Sequence, residues 1–272
     1  MRAALTIAGS DPTGGAGLQA DLQVFRACGV HGSGIVTALT IQDTGKVHRV
    51  LPVFPTLVLD QIRVLLADMK PGAVKLGMLA TDDVARSVQY GLARLATETP
   101  LVIDPVLAAS DGSPLLERRA WPVLLQLIGR STLVTPNLVE AAELTGVDVS
   151  DEAGCERAAR VFVGEIGAEA VLIKGGHRAG APDDLLALRG VRGVRGETSS
   201  ISLRWQRGTR IEGEAVHGTG CALSAAVTAG LANGLDLETA IDRARALVAA
   251  GIRGAYRLGG GARILALHGT CD

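Results

Sequence analysis

Short runs that are apolar on both faces, each followed by a glycine or polar residue and then a helix-like stretch, constrain this chain more than anything else in it. Residues 3–8, 34–41, 73–79, 101–106, 132–135 and 170–173 show little of the polar–apolar alternation of a strand with one wet face. Strands buried on both faces read this way, and such strands belong to parallel sheets covered by helices on either side. Helical stretches fall between them: 18–28, with Leu18, Leu22 and Phe25 on one face, 56–69 capped by Thr56, 81–97 capped by Thr81 or Asp82, part of 115–128, 138–144, 151–166, 219–232, and 237–254 capped by Asp236. The expected fold class is therefore α/β: a three-layer α/β/α arrangement around a mostly parallel central sheet. Residues 45–55 read as a short antiparallel excursion and 183–215 as two or three antiparallel strands. No internal repeat or low-complexity linker interrupts the chain, so residues 1–272 are expected to form a single domain.

In open sheets of this kind, ligands bind beyond the carboxyl ends of the strands. The residues at those ends are Asp11, Gln42, Met78, Asp104, Asn137 and Lys174, joined by Cys221 at a later glycine turn. That turn is Val216-His217-Gly218-Thr219-Gly220-Cys221, and it runs directly into a helix of small residues. A helix start offers unpaired N–H groups and the positive end of the dipole, which suits an anion. The same field is expected to depress the Cys221 pKa and favour its thiolate. The competing reading is a closely packed helix carrying a buried, inert cysteine.

Gly15-Ala16-Gly17-Leu18-Gln19-Ala20 also fits a relaxed dinucleotide fingerprint, with Asp43 roughly where a ribose-binding acid would stand. Against that reading, the loop from Gly9 to Gly15 is long for a dinucleotide turn, and Asp11 would put a carboxylate near the pyrophosphate. No G-x-x-x-x-G-K-[ST] occurs. Asp104, Asn137 and Glu140 suit one Mg²⁺, which takes oxygen ligands and shares phosphate oxygens; Asn137 also reads as a helix N-cap. Lys174 is placed to neutralise phosphate, or else simply snorkels to water. His177 and His217 are too isolated for a metal site. Lys75 stands out as a lysine inside an apolar run.

A formal net charge of -1 gives no electrostatic case for nucleic acid or an anionic membrane surface. The four cysteines are scattered without a C-x-x-C pair, which fits a reducing, cytoplasmic setting. The opening apolar run is too short for a signal peptide, and no run of about 18 apolar residues predicts a membrane span.

Seven collinear segments carry a resemblance. They are Gly9-Ser10-Asp11-Pro12-Thr13-Gly14-Gly15-Ala16-Gly17-Leu18-Gln19-Ala20-Asp21, Thr37-Ala38-Leu39-Thr40-Ile41-Gln42-Asp43-Thr44, Lys75-Leu76-Gly77-Met78-Leu79-Ala80, Asp104-Pro105-Val106, Thr135-Pro136-Asn137-Leu138-Val139-Glu140-Ala141, Ile173-Lys174-Gly175-Gly176-His177 and His217-Gly218-Thr219-Gly220-Cys221. Together they resemble the hydroxymethylpyrimidine/phosphomethylpyrimidine kinases of thiamine biosynthesis, within the ribokinase-like superfamily. The resemblance implies ATP- and Mg²⁺-dependent phosphorylation of 4-amino-5-hydroxymethyl-2-methylpyrimidine, then of its monophosphate. It implies that Gly9, Asp21, Gln42, Met78 and Val106 line the pyrimidine pocket. It implies that Cys221 stands where most of the superfamily carries an aspartate base, and that Gly218, Thr219, Gly220 and Cys221 form the anion hole. Asp104, Asn137, Glu140 and Lys174 would serve the nucleotide, with Asp104 and Glu140 holding Mg²⁺ directly or through water. A cytoplasmic homodimer is implied as well.

Some positions depart from the family's pattern. Asp43 replaces an Asn. Leu107-Ala108-Ala109-Ser110-Asp111-Gly112 carries an added acid, Ala215-Val216 replaces Asn-Thr, and Gly259-Gly260-Gly261-Ala262 lacks a Gly-His-Gly pattern. These departures predict a weaker second phosphorylation. Other readings are a pyridoxal (B6-vitamer) kinase of the same superfamily, a non-catalytic ligand-sensing protein, and a dinucleotide oxidoreductase.

Overall fold

The computed structural model describes residues 1–176, 181–190 and 200–267. Its elements begin with β1 (Ala3–Ser10), α1 (Gly17–Ala27), β2 (His31–Gln42), β3 (Val47–Pro52), α2 (Pro55–Asp68), β4 (Ala73–Leu76), α3 (Asp82–Leu92) and β5 (Leu101–Ile103). A 3₁₀ turn leads into α4 (Trp121–Ile128), β6 (Leu133–Val134), α5 (Leu138–Thr145), α6 (Glu152–Arg160), β7 (Ala170–Ile173), β8 (Asp184–Arg189) and β9 (Ile201–Gln206). The chain ends through β10 (Val216–His217), α7 (Thr219–Ala232), α8 (Leu237–Arg253) and β11 (Arg263–Ile264). Contacts group these into two compact units, residues 1–123 with the chain from 211 onward, and residues 124–210. Among the described residues no helix is long and apolar enough to cross a membrane.

In the first unit the strand order is β3-β2-β1-β4-β5. Every pairing is parallel except β2 with β3. Strand β1 has a strand on each side and is buried along its middle, which is why its sequence is apolar without alternation. Helix α7 packs against α1, α8, β1, β4 and β5. Its residues from Ala222 to Gly230 are all buried, so it needs no polar face, and its small side chains permit the close approach. The second unit has the order β6-β7-β8-β9, parallel between β6 and β7 and antiparallel thereafter.

Some boundaries move from their expected places. Helix α2 starts at Pro55 after Phe54, with no side-chain cap, so Thr56 is not the cap. Proline suits that first position because its missing N–H has no helical partner there. Helix α3 ends at Leu92, short of residue 97. The stretch read as one helix over 151–166 is α6 followed by a π-turn over Val161–Ile166, which stops at Gly167 in the left-handed region (φ 105°). Within 183–215 the described strands are β8 and β9, paired from Asp184↔Gln206 to Arg189↔Ile201.

Candidate active site

The two glycine segments of the first unit are built against each other. Gly17 opens α1 with φ +59°, and a Cβ there would lie 2.4 Å from the Gly9 carbonyl oxygen. Gly218 caps α7 with φ +78°, and a Cβ there would lie 1.8 Å from the Gly15 carbonyl oxygen. Only glycine satisfies both the backbone angle and the contact. Asp11 completes the junction. Its carboxylate accepts from the backbone N–H of Thr13 at 2.8 Å and Ala16 at 2.9 Å, and pairs with His217 Nε2 at 3.0 Å. Burial works against the charge of Asp11, but hydrogen bonds from His217, Thr13 and Gln42 outweigh it and hold its pKa below the usual value. His217, unassigned by the sequence, thus ties the last turn to the first loop.

The first turn of α7 has no side-chain cap, so its leading N–H groups lack helical partners. Cys221 sits there, half-buried as a residue. Burial of its thiol, with Asp104 and Asp21 nearby, pushes the pKa up to about 12. Lys75 and the N–H of Gly17 pull the other way and do not prevail. This corrects the expectation of a depressed thiol pKa: removal from water outweighs the helix end, and the resting protein carries a protonated Cys221.

Beneath the turn lies an ionic cluster with no access to solvent. Lys75 Nζ stands 2.7 Å from both carboxylate oxygens of Asp21, and the Thr6 hydroxyl donates to Asp21 Oδ2 at 2.6 Å. Lys75, Asp21 and Thr6 are each 0% exposed. Burying such ions costs several kcal/mol each unless their hydrogen bonds are satisfied, and these three short bonds supply that. Burial alone would release the Lys75 proton, yet the attraction of the Asp21 carboxylate, with that of Asp104, raises its pKa. The resemblance counts Asp21 among the residues of the pyrimidine pocket; in the structure its carboxylate is fully buried and held by Lys75 and Thr6.

Gly9 lies against Met78, and Val106 packs against the cluster that holds Met78. A Cβ on Gly9 would meet Met78 Sδ at 2.7 Å. Met78 packs with Ala38 and Ala80, and Val50, Val106 and Leu115 lie against them. The Thr37 hydroxyl donates to the Met78 carbonyl at 2.5 Å. Ala80 has φ 63°, a left-handed angle unusual for a residue with a Cβ, just after Met78 and Leu79. Gln42, at the end of β2, reaches Asp11. Asp104 follows β5, is 2% exposed, and donates its backbone N–H to the Leu76 carbonyl. A separate open recess of about 620 Å³ is lined by Thr13, Thr44, Leu258, Gly260 and their neighbours and includes none of these pocket residues.

In the second unit, Asn137 caps α5. Its side chain accepts from Glu140 N–H at 2.9 Å, and Glu140 Oε2 accepts from Asn137 N–H at 2.8 Å, a reciprocal capping box. Lys174 follows β7, donates its backbone N–H to Pro136 at 2.8 Å, and pairs with Asn137 in an isolated parallel bridge. These three residues therefore form one local group. His177 lies outside the described residues.

The model of the phosphomethylpyrimidine kinase family matches residues 11–266. The chain belongs to that family. It is 37% identical over 262 residues to the hydroxymethylpyrimidine/phosphomethylpyrimidine kinase of Staphylococcus aureus (strain MRSA252), covering 95% of this chain and 90% of that one. The crystal structure of a phosphomethylpyrimidine kinase from Clostridium difficile 630 superposes with a TM-score of 0.78 at 31% identity, covering 93% of this chain and 100% of that chain. An ADP complex of Bacillus subtilis pyridoxal kinase gives a TM-score of 0.83 at 30% identity, over 97% and 96% of the two chains. The fold is the α/β, mostly parallel, ribokinase-like one expected from the sequence.

Two residues that depart from the family's pattern have structural partners here. Asp43 Oδ1 accepts from the N–H groups of Gly45 and Lys46, and Oδ2 pairs with His48. These bonds draw its pKa down to about 2. A carboxylate so committed to its own hairpin is a poor ribose ligand, which counts against a dinucleotide site. Asp111 Oδ2 accepts from Val47 N–H at 3.0 Å and Oδ1 from Ser113 N–H at 2.8 Å, fastening the 107–115 loop to the edge strand β3. The sequence carried no sign that Asp11 and His217 pair, nor that Lys75 neutralises Asp21, because both pairs join distant segments.

Proposed function

We propose that this member of the family transfers the γ-phosphoryl group of ATP to the hydroxymethyl oxygen of 4-amino-5-hydroxymethyl-2-methylpyrimidine, and then phosphorylates the monophosphate to the diphosphate. The observation that carries the reading is Cys221 on the uncapped first turn of α7, in the unit that also joins Gly9, Met78 and Val106. In the first transfer the acceptor oxygen bonds to phosphorus as the bond to the ADP oxygen breaks. The acceptor proton passes to the Cys221 thiolate, the reacting minority of a thiol that is protonated at rest. The N–H groups of Thr219, Gly220 and Cys221, with Gly218 setting the turn, stabilise the transferring group. Gln42 presents both a donor and an acceptor to a pyrimidine edge, and Gly9, Met78 and Val106 flank the ring. Asp21 supports the pocket from below through Lys75.

Asp104, Asn137, Glu140 and Lys174 serve the nucleotide in this reading. Mg²⁺, when bound, neutralises phosphate charge. Asp104 and Glu140 are carboxylates 2% and 5% exposed, oxygen donors of the type Mg²⁺ prefers, and it needs only one or two of them.

We further propose a cytoplasmic homodimer, supported by an apolar face on β2 and β3 where Leu39 and Leu51 pair in register and stay exposed. Light scattering on the purified protein tests this. A second reading, pyridoxal kinase, is favoured by the B. subtilis structure. Product mass analysis with Mg-ATP and either the pyrimidine or pyridoxal separates the two. Pyrimidine mono- and diphosphate support the main reading. Pyridoxal phosphate alone would replace it.

A further inference from the structure

The glycine run Gly259-Gly260-Gly261 has no part in the scheme above, yet it is built against the hairpin that carries Gln42. The Gly261 N–H donates to the Thr44 hydroxyl oxygen at 3.0 Å, and the Ala262 N–H donates to the Thr44 carbonyl at 2.8 Å. The approach leaves no room for a side chain. A Cβ on Gly261 would stand 2.1 Å from the Thr44 carbonyl carbon and oxygen, and one on Gly259 would stand 2.6 Å from its Oγ1. Arg257 also holds the run, donating to the Gly261 carbonyl at 2.9 Å and pairing with Glu214. Past the run, β11 pairs with β10 and sets Ile264 beside His217. One segment therefore ties the hairpin tip to the strand that leads into α7, all within the first unit.

The tip itself is tight. Gln42 stands opposite Val47, and the Asp43 N–H donates to the Lys46 carbonyl at 3.2 Å. Asp111 fixes one side of the turn by accepting from the Val47 N–H at 3.0 Å. Thr44, two residues after Gln42, is where the glycine run fixes the other side. In a turn this short and this bonded, few soft dihedrals separate the two residues, so a shift of Thr44 moves Gln42 as well.

We infer that Thr44 and Gly261 are positioning residues for acceptor recognition: their contact sets where Gln42 presents its amide to the pyrimidine ring. The inference rests on the reading of Gln42 as a ligand of that ring. An amide recognises a ring edge from a narrow range of positions, because a hydrogen bond weakens steeply as its angle and distance depart from the optimum. The run that departs from the family's glycine pattern thereby gains a reason for its glycines.

The test compares Gly261→Ala with Gly260→Ala. Neither glycine has a left-handed φ, and a Cβ on Gly260 meets nothing within 4 Å, so Gly260→Ala alters the same loop without touching Thr44. KM for the pyrimidine, KM for ATP and kcat are measured for the first phosphorylation, together with the melting temperature. Gly261→Ala is expected to raise the pyrimidine KM about fivefold or more, the scale of one hydrogen bond, with the KM for ATP within about twofold. Gly260→Ala should match the wild type. A lowered melting temperature with both KM values unchanged overturns the inference and leaves the run a structural strap. Repeating Gly261→Ala on a Gln42→Ala background shows whether the effect passes through Gln42: no further rise in KM supports the role, and an additive rise overturns it. If Gln42→Ala alone leaves the pyrimidine KM unchanged, the reading of Gln42 fails and the inference falls with it; if Gln42→Ala raises KM and Gly261→Ala does not, the inference alone fails. Should Gly261→Ala not fold, Thr44→Val decides. It removes the hydroxyl that accepts from Gly261 and keeps the backbone bond to Ala262. A raised pyrimidine KM restored by Thr44→Ser supports the role, and an unchanged KM overturns it.

Discussion

Asp11 and His217 stand 206 positions apart and share a 3.0 Å contact between Oδ2 and Nε2. It joins the loop after β1 to the strand that feeds α7, so the two glycine segments are fixed relative to each other within the first unit. The same carboxylate also organises its own loop through two backbone N–H groups.

Replacing His217 by Ala removes one bond and leaves the loop contacts, at an expected cost of about 1 kcal/mol. Asp11→Ala orphans the buried donors as well and is expected to cost roughly 1–3 kcal/mol. The folded pKa of Asp11 lies below its ordinary 3.8. Its stabilisation is therefore complete above that value and is lost as pH falls through the lower folded one. Urea midpoints measured from pH 6 downward should drop below about pH 4 in the wild type and fall less steeply in Asp11→Ala.

Cys221→Ala should separate the two phosphorylations. An alcohol has a proton to lose, and losing the acceptor should slow its transfer by about 10²-fold or more. A phosphate monoester is already largely ionised at pH 8, with a second pKa near about 6, so the second transfer needs no such help. Single-turnover rates on the pyrimidine and on its monophosphate check this. Equal losses on both substrates would contradict the assignment.

With the thiol near pKa 12 instead of its ordinary 9.0, Cys221 stabilises the fold fully below pH 9 and loses that contribution as pH rises toward 12. Cys221 alkylation should accordingly be slow at pH 9 and still be climbing at pH 10. A plateau near 9 would show a thiol untouched by burial.

Gly218→Ala should be far worse than Gly234→Ala. Both glycines have positive φ, +78° and +87°, but a Cβ on Gly218 would sit 1.8 Å from the Gly15 carbonyl oxygen, whereas Gly234 has nothing within 4 Å. The second change should cost only the left-handed backbone penalty, about 1–2 kcal/mol. The first must also separate the two glycine segments, with a loss above about 4 kcal/mol or failure to fold. Thermal unfolding of the pair decides it.

The capping box allows charge to be separated from structure in the second unit. Glu140→Gln keeps a side chain able to accept from Asn137 N–H and should leave the melting temperature nearly unchanged. It removes the carboxylate proposed for Mg²⁺, so the Mg²⁺ concentration needed for half-maximal activity should rise several-fold. Asn137→Ala should instead cost about 1 kcal/mol of stability through the lost cap. If Glu140→Gln leaves the Mg²⁺ requirement unchanged, Glu140 is a cap alone.

Much of the fold was legible because it is local. The apolar runs that became β1, β4, β5 and β7 announce burial on two faces. The caps Thr81, Asn137 and Asp236 act three residues along their own helices. The second phosphorylation was expected to be weaker because of departures such as Asp43 and Asp111. The fold gives both residues structural work at the β2–β3 hairpin and nearby loop, which is compatible with a normal second step.

By itself the sequence determined the layered α/β class, the order of its elements and the residues that stand at the strand ends, since periodicity and turn chemistry are properties of neighbouring residues. Tertiary structure alone decided which of those residues share an environment. Cys221 stands at a helix start, a feature the sequence shows, but its thiol is governed by desolvation and by charges on α1, β4 and the residue after β5, brought together only when the chain folds. Asp21 lies in a motif next to a glycine loop, yet Lys75, 54 positions later, takes its carboxylate. Burial and Coulomb energy depend on distance in space, and a linear sequence does not contain that distance.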